Sequence, residues 1–262
     1  MINFYFKTMK FLKSNIRGIF FKYFPQVSSV THNSLCLKFF NINEVTDYRI
    51  NTFSSKEPDT LNWIDDFSDN SIFYDIGANI GLYSIYAAKK ANSKVYAFEP
   101  SFLNLELLFK NIDLNKLSEM ITILPIALNN TNKISRFNMS DIRNAGALST
   151  FDQTYDQTGS NLNIKKFYYS MGLKLDDLVN IYDLPKPDYV KIDVDGIEHL
   201  VLNGAEKSIA AAKSILVEVT NSFSEQANFC HEILKRNYFT KVSNDINKNS
   251  NETSNQIWKK ST

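Results

Sequence analysis

Compact apolar runs alternate with helix-patterned stretches through the middle of the chain. Residues 72–76 (IFYDI), 94–98 (KVYAF), 121–125 (ITILP), 189–193 (YVKID) and 215–219 (ILVEV) are short and rich in β-branched and aromatic residues, which predicts five strands. Between and after them, 82–91, 101–115, 197–211 and 224–236 read as helices, the third with an irregularity at Gly204. In the second, Ser101 stands at the N-cap position, and Phe102, Leu105, Leu108, Phe109 and Ile112 are expected on one apolar face. Strand–helix alternation of this kind builds a parallel sheet covered by helices. The segments 239–242 and 256–259 predict an antiparallel hairpin at the end of that sheet.

The flanking regions break this rhythm. Residues 34–40 and 45–53 are expected to form short strands, and 57–67 a helix with Pro58 in its first turn and Leu61, Ile64 and Phe67 on one face. Residues 129–172 are rich in Asn, Ser, Thr, Gln and Asp, with Gly146, Gly159 and Gly172. They read as an insertion over the C-terminal edge of the sheet, where α/β folds bind ligands. The segment LDDLV at 175–179 predicts a short helix. The expected organisation is an N-terminal extension over 1–56, with a basic helix and short strands, and one α/β domain over 57–262.

Composition narrows the possibilities. A chain of 262 residues, 44% hydrophobic, is long enough for one α/β domain with a full core. A net charge of +1 gives no general case for a nucleic-acid partner. Cys36 and Cys230, and the scattered His32, His199 and His231, have no zinc or redox spacing. Before Glu44 the chain carries six lysines and arginines and no acid, yet no apolar stretch long enough to span a membrane. The favoured expectation is a helix packed on the domain with a basic outer face. The alternative is a peripheral contact with an anionic membrane. A cytoplasmic protein is expected, in the second case one held at the inner face of the membrane.

The candidate chemistry lies in two successive strand ends. IFYDIGANIG at 72–81 puts Asp75 before a loop with Gly77, Asn79 and Gly81, and KVYAFEP at 94–100 ends on Glu99. A dinucleotide fingerprint needs a glycine where Asn79 stands, so that a pyrophosphate can approach the helix N-terminus. Asp75 would repel a pyrophosphate but suits a ligand with an ammonium and a sulfonium, as in S-adenosylmethionine. Glu99, at the end of the next strand, can accept ribose hydroxyls, the role of the acid about 20 residues on in dinucleotide folds.

A third acidic element, VKIDVDGIEHL at 190–200, gathers Lys191, Asp193, Asp195, Glu198 and His199. Asp193, with Asp195, is the candidate to take a proton from an attacking hydroxyl. Two carboxylates this close on a turn can share Mg²⁺, and can equally serve without it. Asp195 can also cap the next helix, and His199 is either a base or a helix-surface residue.

Taken in order, FYDIGANIGLYS (73–84), YAFEPS (96–101), IAL (126–128), LDDL (175–178), VKIDVDGIE (190–198), LNGA (202–205) and LVEV (216–219) resemble the FkbM family of S-adenosylmethionine-dependent methyltransferases. The family often has Glu where Asp195 stands. The resemblance implies a class I methyltransferase (Rossmann-like) fold, with a mostly parallel seven-stranded sheet flanked by helices and a C-terminal antiparallel hairpin. It implies methyl transfer, mostly to oxygen, with a small-molecule or glycan acceptor such as a sugar hydroxyl in surface polysaccharide. By the same resemblance Asp75, Gly77, Asn79 and Gly81, with Tyr83 and Ser84 beside them, hold the methionine end. Glu99 holds the ribose, Pro100 and Ser101 shape the adenine side, and Ala127 with Leu128 covers the base. Two rival readings are a cofactor-binding scaffold without turnover, which has no need of the acidic turn, and an NAD-linked oxidoreductase, which Asn79 and Asp75 disfavour.

Overall fold

The computed structural model describes residues 26–242 and 253–261, so the expected basic helix near the start of the chain lies largely outside the described residues. The described chain opens with a hairpin, β1 (Gln26–His32) and β2 (Leu35–Asn41). Three helices follow: α1 (Glu44–Asn51), α2 (Phe53–Lys56) and α3 (Pro58–Asp65). The strand expected over 45–53 is therefore replaced by helix. Its β-branched and aromatic content is outweighed by a capping box: Asn43 accepts from the Thr46 backbone N–H, and the Thr46 hydroxyl accepts from that of Asn43. Residues 26–32, not expected as a strand, pair with β2 along their whole length.

The predicted core strands follow as β3 (Ile72–Ile76), β4 (Lys94–Phe98) and β5 (Ile121–Leu124), with α4 (Leu82–Lys90) and α5 (Phe102–Leu114) between them. A polar excursion then builds β6 (Ala127–Leu128), β7 (Lys133–Met139), β8 (Ser149–Phe151) and β9 (Lys166–Leu173). The chain returns through α6 (Leu175–Ile181), β10 (Tyr189–Ile192), α7 (Glu198–Asn203), α8 (Glu206–Ile209), β11 (Ser214–Thr220) and α9 (Ser224–Arg236). It ends in β12 (Phe239–Lys241) and β13 (Thr253–Lys260). The helix expected over 197–211 is split at Gly204, where a Cβ would come within 2.1 Å of the Asn129 carbonyl oxygen.

The main sheet has the order β12-β13-β11-β10-β3-β4-β5. It is mixed: β13 runs antiparallel to both its neighbours, and the other strands run parallel to one another. The excursion forms its own sheet, β6-β9-β7-β8.

Alternation along the strands sorts the core into two layers. Phe73, Val95, Ile121 and Leu216 face α3, α4, α5 and β2, whereas Tyr74, Phe98, Val190, Ile192 and Val217 face α6 to α9. The hairpin and first helices belong to the first layer, since Leu37, Phe39, Ile50 and Phe53 are buried within it. On α5 the expected face is rotated: Phe102 and Phe109 are exposed, while Asn104, Leu107, Leu108, Asn111 and Ile112 are buried. Asn111 explains the rotation, because its amide donates to the Ile80 carbonyl and its oxygen accepts from the Phe40 backbone N–H. Ser101 sits at the N-cap of α5 but makes no side-chain cap.

Phe39→Ala should destabilise the whole protein by about 3–5 kcal/mol in equilibrium urea unfolding, the usual range for a buried phenylalanine. A cost under about 1 kcal/mol would show that the hairpin folds independently of the sheet it covers.

Candidate active site

A cavity of about 440 Å³ opens over the C-terminal ends of β3, β4, β10 and β11. The β3–α4 turn forms one wall, with Gly77 and Gly81 at φ +85° and +86° and Asn79 at φ +51°. Glycine is required at Gly77 on two counts: a Cβ would be strained at that φ and would meet the Asp193 carbonyl oxygen at 1.8 Å. The turn after β3 thus rests directly on the turn after β10.

Glu99 ties that wall to the next. Its two carboxylate oxygens accept from the backbone N–H groups of Asn79 and Ser101, each at 2.8 Å. Burial pushes its carboxyl up to about 7, against the pull of those two donors. Asn79 in turn donates to the Gly146 carbonyl at 2.9 Å, leaving its own Oδ1 buried and unpartnered. Tyr168, from the second sheet, donates to the Pro100 carbonyl at 2.5 Å. The polar insertion is therefore the roof of the cavity, which Phe137, Gly146, Leu148 and Phe151 help to line.

Of the residues expected to touch a cofactor, Gly77, Asn79, Tyr83, Glu99, Pro100, Ser101, Ala127 and Leu128 line this cavity. Asp75, Gly81 and Ser84 do not. Asp75 faces the α4 side of the sheet, where its Oδ2 accepts from the Ser84 hydroxyl at 2.5 Å. The pleat that puts Tyr74 and Ile76 on one face puts Asp75 on the other, beside Lys191 at the paired position of β10. Asp75 is thus a neighbour of the site's buried cation and does not line the ligand space.

That cation organises the floor. Lys191 is 1% exposed, and its ammonium donates to Asp193 Oδ2 at 2.7 Å. Burial alone would pull Lys191 down, but the carboxylates of Asp193, Asp75 and Glu57 hold it well above the ordinary lysine value. Glu57 is opposed by burial yet held at about 2 by Lys191 and by Lys56, which pairs with it at 2.7 Å. Asn255 donates to Glu57 at 3.0 Å.

The acidic turn after β10 is held from both sides. Asp195, in the left-handed region at φ +58°, accepts from the backbone N–H groups of Leu148 and Ser149 at 2.7 and 3.3 Å. Burial and the nearby Asp193 push it up to about 6. Below the turn, Glu198 is 1% exposed and accepts from Val194 and Gly196 N–H and from Gln226. So Glu198, not Asp195, secures the turn against the following helix. Burial likewise pushes Glu198 up to about 7. His199 packs edge-on against Phe223 and Phe229 and does not line the cavity, which removes it as a base. Among the described residues no group of three or more His, Cys, Asp or Glu side chains is arranged to hold a metal ion, so Mg²⁺ has no donor set of that kind.

Sequence reasoning did not reach Arg49, Lys56, Glu57, Glu218 or Asn255, all of which line the cavity. The first three come from α1, α2 and the residue between α2 and α3, which approach only through the tertiary fold. Glu218 did carry a signal: a lone acid inside the otherwise apolar ILVEV. Among the described residues, five carboxylates and three cations line the space. That surplus of acid, with Glu99 at the mouth of the glycine turn, suits a ligand with a cationic centre and hydroxyls to donate.

A family model described as the methyltransferase FkbM domain matches residues 75–241. The chain is 27% identical over 158 residues to the hexuronic acid methyltransferase AglP of Haloferax volcanii, covering 60% of this chain and 59% of that one. It spans 53% of a second relative, the methyltransferase FkbM of Methylobacillus flagellatus KT, whose crystal structure aligns with 82% of this chain at a TM-score of 0.51 and 15% identity. The chain thus spans between a half and three fifths of the length of these relatives. The likeness to the solved structure establishes a shared fold, and the match over 75–241 establishes the kinship: this chain belongs to the FkbM methyltransferase family.

Proposed function

We propose that the protein transfers a methyl group from S-adenosylmethionine to a sugar hydroxyl in glycan biosynthesis, on an acceptor that carries an acidic residue. The observation that carries the reading is Glu99 joining the two turns of a cavity lined, among the described residues, by five carboxylates. The donor set fits this cofactor. Glu99 has lone pairs left for ribose hydroxyls after its two backbone bonds. Ala127 and Leu128 offer an apolar surface to a base, and the unpartnered Oδ1 of Asn79 lacks a donor that an ammonium can supply. S-adenosylmethionine supplies a methyl on a sulfonium, electrophilic without any protein nucleophile.

The residues of this chain then align and shield the reaction. Lys191 fixes Asp193 at the floor by donating to its Oδ2, and Asp193 can there accept a hydrogen bond from the attacking hydroxyl and orient it. The roof contributed by the second sheet limits the access of water. Arg49 and Lys56 supply the acceptor end with positive charge. The Arg49 side chain is anchored through Nε on the Ala145 carbonyl at 2.9 Å, which leaves its other guanidinium donors for a carboxylate. An acidic sugar accords with the hexuronic acid methyltransferase among the relatives.

Three outcomes are expected. In calorimetric titration, Glu99→Ala should weaken S-adenosylhomocysteine binding by roughly tenfold to a hundredfold, the worth of charged hydrogen bonds; unchanged affinity would sink the ribose assignment. Asp193→Asn should lower methyl transfer to a glucuronate-containing disaccharide by about a hundredfold. Its S-adenosylhomocysteine affinity should stay within about threefold of wild type; loss of binding instead would make Asp193 a cofactor residue. Finally, affinity for S-adenosylmethionine should rise from pH 5 to pH 8. Asp195 and Glu99, held near 6 and 7, are protonated at the low end and ionise across this window, and carboxylates attract the cation only when ionised. S-adenosylhomocysteine lacks the sulfonium and should show a shallower rise; an affinity independent of pH would contradict the electrostatic account.

A further inference from the structure

Strand register puts two carboxylates side by side at the reacting end of the cavity. Ile192 of β10 pairs with Val217 of β11, so the next residues, Asp193 and Glu218, are neighbours at the strand ends. Adjacent strands lie about 4.8 Å apart. On the other side of β11, Glu218 pairs with Asn255 of β13. Gly77, Asp193, Glu218 and Asn255 therefore form one row across the floor, and all four line the cavity.

The other acids of the cavity are already engaged. Asp193 is bonded to Lys191, Asp195 to two backbone N–H groups, Glu57 to Lys56 and Asn255, and Glu99 to the backbone of Asn79 and Ser101. Glu218 makes no hydrogen bond or ion pair among the described residues. Opposite it, Asn255 directs its amide donors to Glu57 and Thr60, which leaves its Oδ1 buried without a partner. A donor is missing there, and a protonated Glu218 or an incoming hydroxyl supplies it.

We propose that Glu218 is the proton acceptor of the reaction: placed beside Asp193 and Asn255 at the strand ends, it takes the proton of the acceptor's hydroxyl once the cationic cofactor has entered. This rests on the methyltransferase reading above. In the step, the acceptor oxygen bonds the methyl as the methyl–sulfur bond breaks, the electron pair stays on sulfur, and the hydroxyl proton passes to the Glu218 carboxylate. The charges that face Glu218 agree with a neutral resting form. Burial raises it well above the ordinary glutamate value, and the carboxylates of Asp193, Glu198, Asp195 and Glu57 add to that. The opposing cations, Lys191, Lys56 and Arg49, are paired with or anchored on other partners. A bound cation reverses the balance, so the base is released only in the loaded site.

The test is proton release on binding of S-adenosylmethionine, measured at pH 7 by calorimetry in two buffers of different ionisation enthalpy. Wild type, Glu218→Gln and Glu218→Asp are compared, each first shown to be folded by circular dichroism and thermal melting. The expected result is about one proton fewer released by the Gln variant than by wild type, with cofactor affinity within about threefold, and at least partial return of the release in the Asp variant. Methyl transfer to a glucuronate-containing disaccharide should fall at least about a hundredfold in the Gln variant and recover as pH is raised. Equal proton release by wild type and Glu218→Gln would overturn the proposal, whether or not the disaccharide proves an acceptor. Failure of folded wild type to bind S-adenosylmethionine at all would instead overturn the methyltransferase reading on which the proposal rests.

Discussion

Everything at this site depends on one buried cation. Lys191 is placed by its strand among Asp75, Asp193 and Glu57, with almost no exposure to water. A lone ammonium there would cost several kcal/mol, and the carboxylates around it would be equally unfavourable without it. Neither half of the cluster is tenable alone, so the two fix each other. The consequence reaches beyond stability. With Asp193 tied to Lys191, the β10 turn has a fixed end, against which the β3 turn rests at Gly77. The glycine loop and the acidic turn are thereby held as one surface.

The cavity is assembled from three sources that converge on that surface. The sheet provides the strand ends, the polar excursion with its own small sheet provides the roof, and the helices before β3 bring Arg49, Lys56 and Glu57. The last two sources give a shared fold its individual cavity lining. Residues 44–57 lie ahead of the part matched by the family model, yet they supply much of the charge that lines the cavity. The excess of carboxylate is a stored electrostatic demand, and it adds to the burial that pushes Glu99, Asp195 and Glu198 toward neutral pH. A cationic ligand satisfies that demand as no neutral or anionic one can.

Much of this was legible in the chain. The strand–helix rhythm located the five core strands, and Glu99 with the glycine turn pointed to the cavity. Asp75 was found by its spacing, but spacing along the chain says nothing of which way the pleat turns a side chain. The Asp75 side chain lies beside Lys191 and takes the Ser84 hydroxyl, and does not itself line the cavity. Residues 45–53 read as a strand because Val45, Thr46, Tyr48 and Ile50 favour one, whereas the Asn43–Thr46 capping box decides for helix. The faces of α5 were misjudged because a buried Asn111 serving two backbone groups outranks an exposed Phe109. Arg49 bonds to Ala145, 96 residues on, and Asn255 to Glu57, 198 residues back, so packing and no local pattern assigns them to the site.

The most direct test of the account is a crystal structure of the protein with S-adenosylhomocysteine bound. The predicted complex has both ribose hydroxyls on Glu99, the base against Ala127 and Leu128, and the sulfur directed toward Asp193 and Glu218. A ligand seated elsewhere, or in this cavity with its ribose turned from Glu99 and its sulfur turned from the β10 and β11 strand ends, would contradict it.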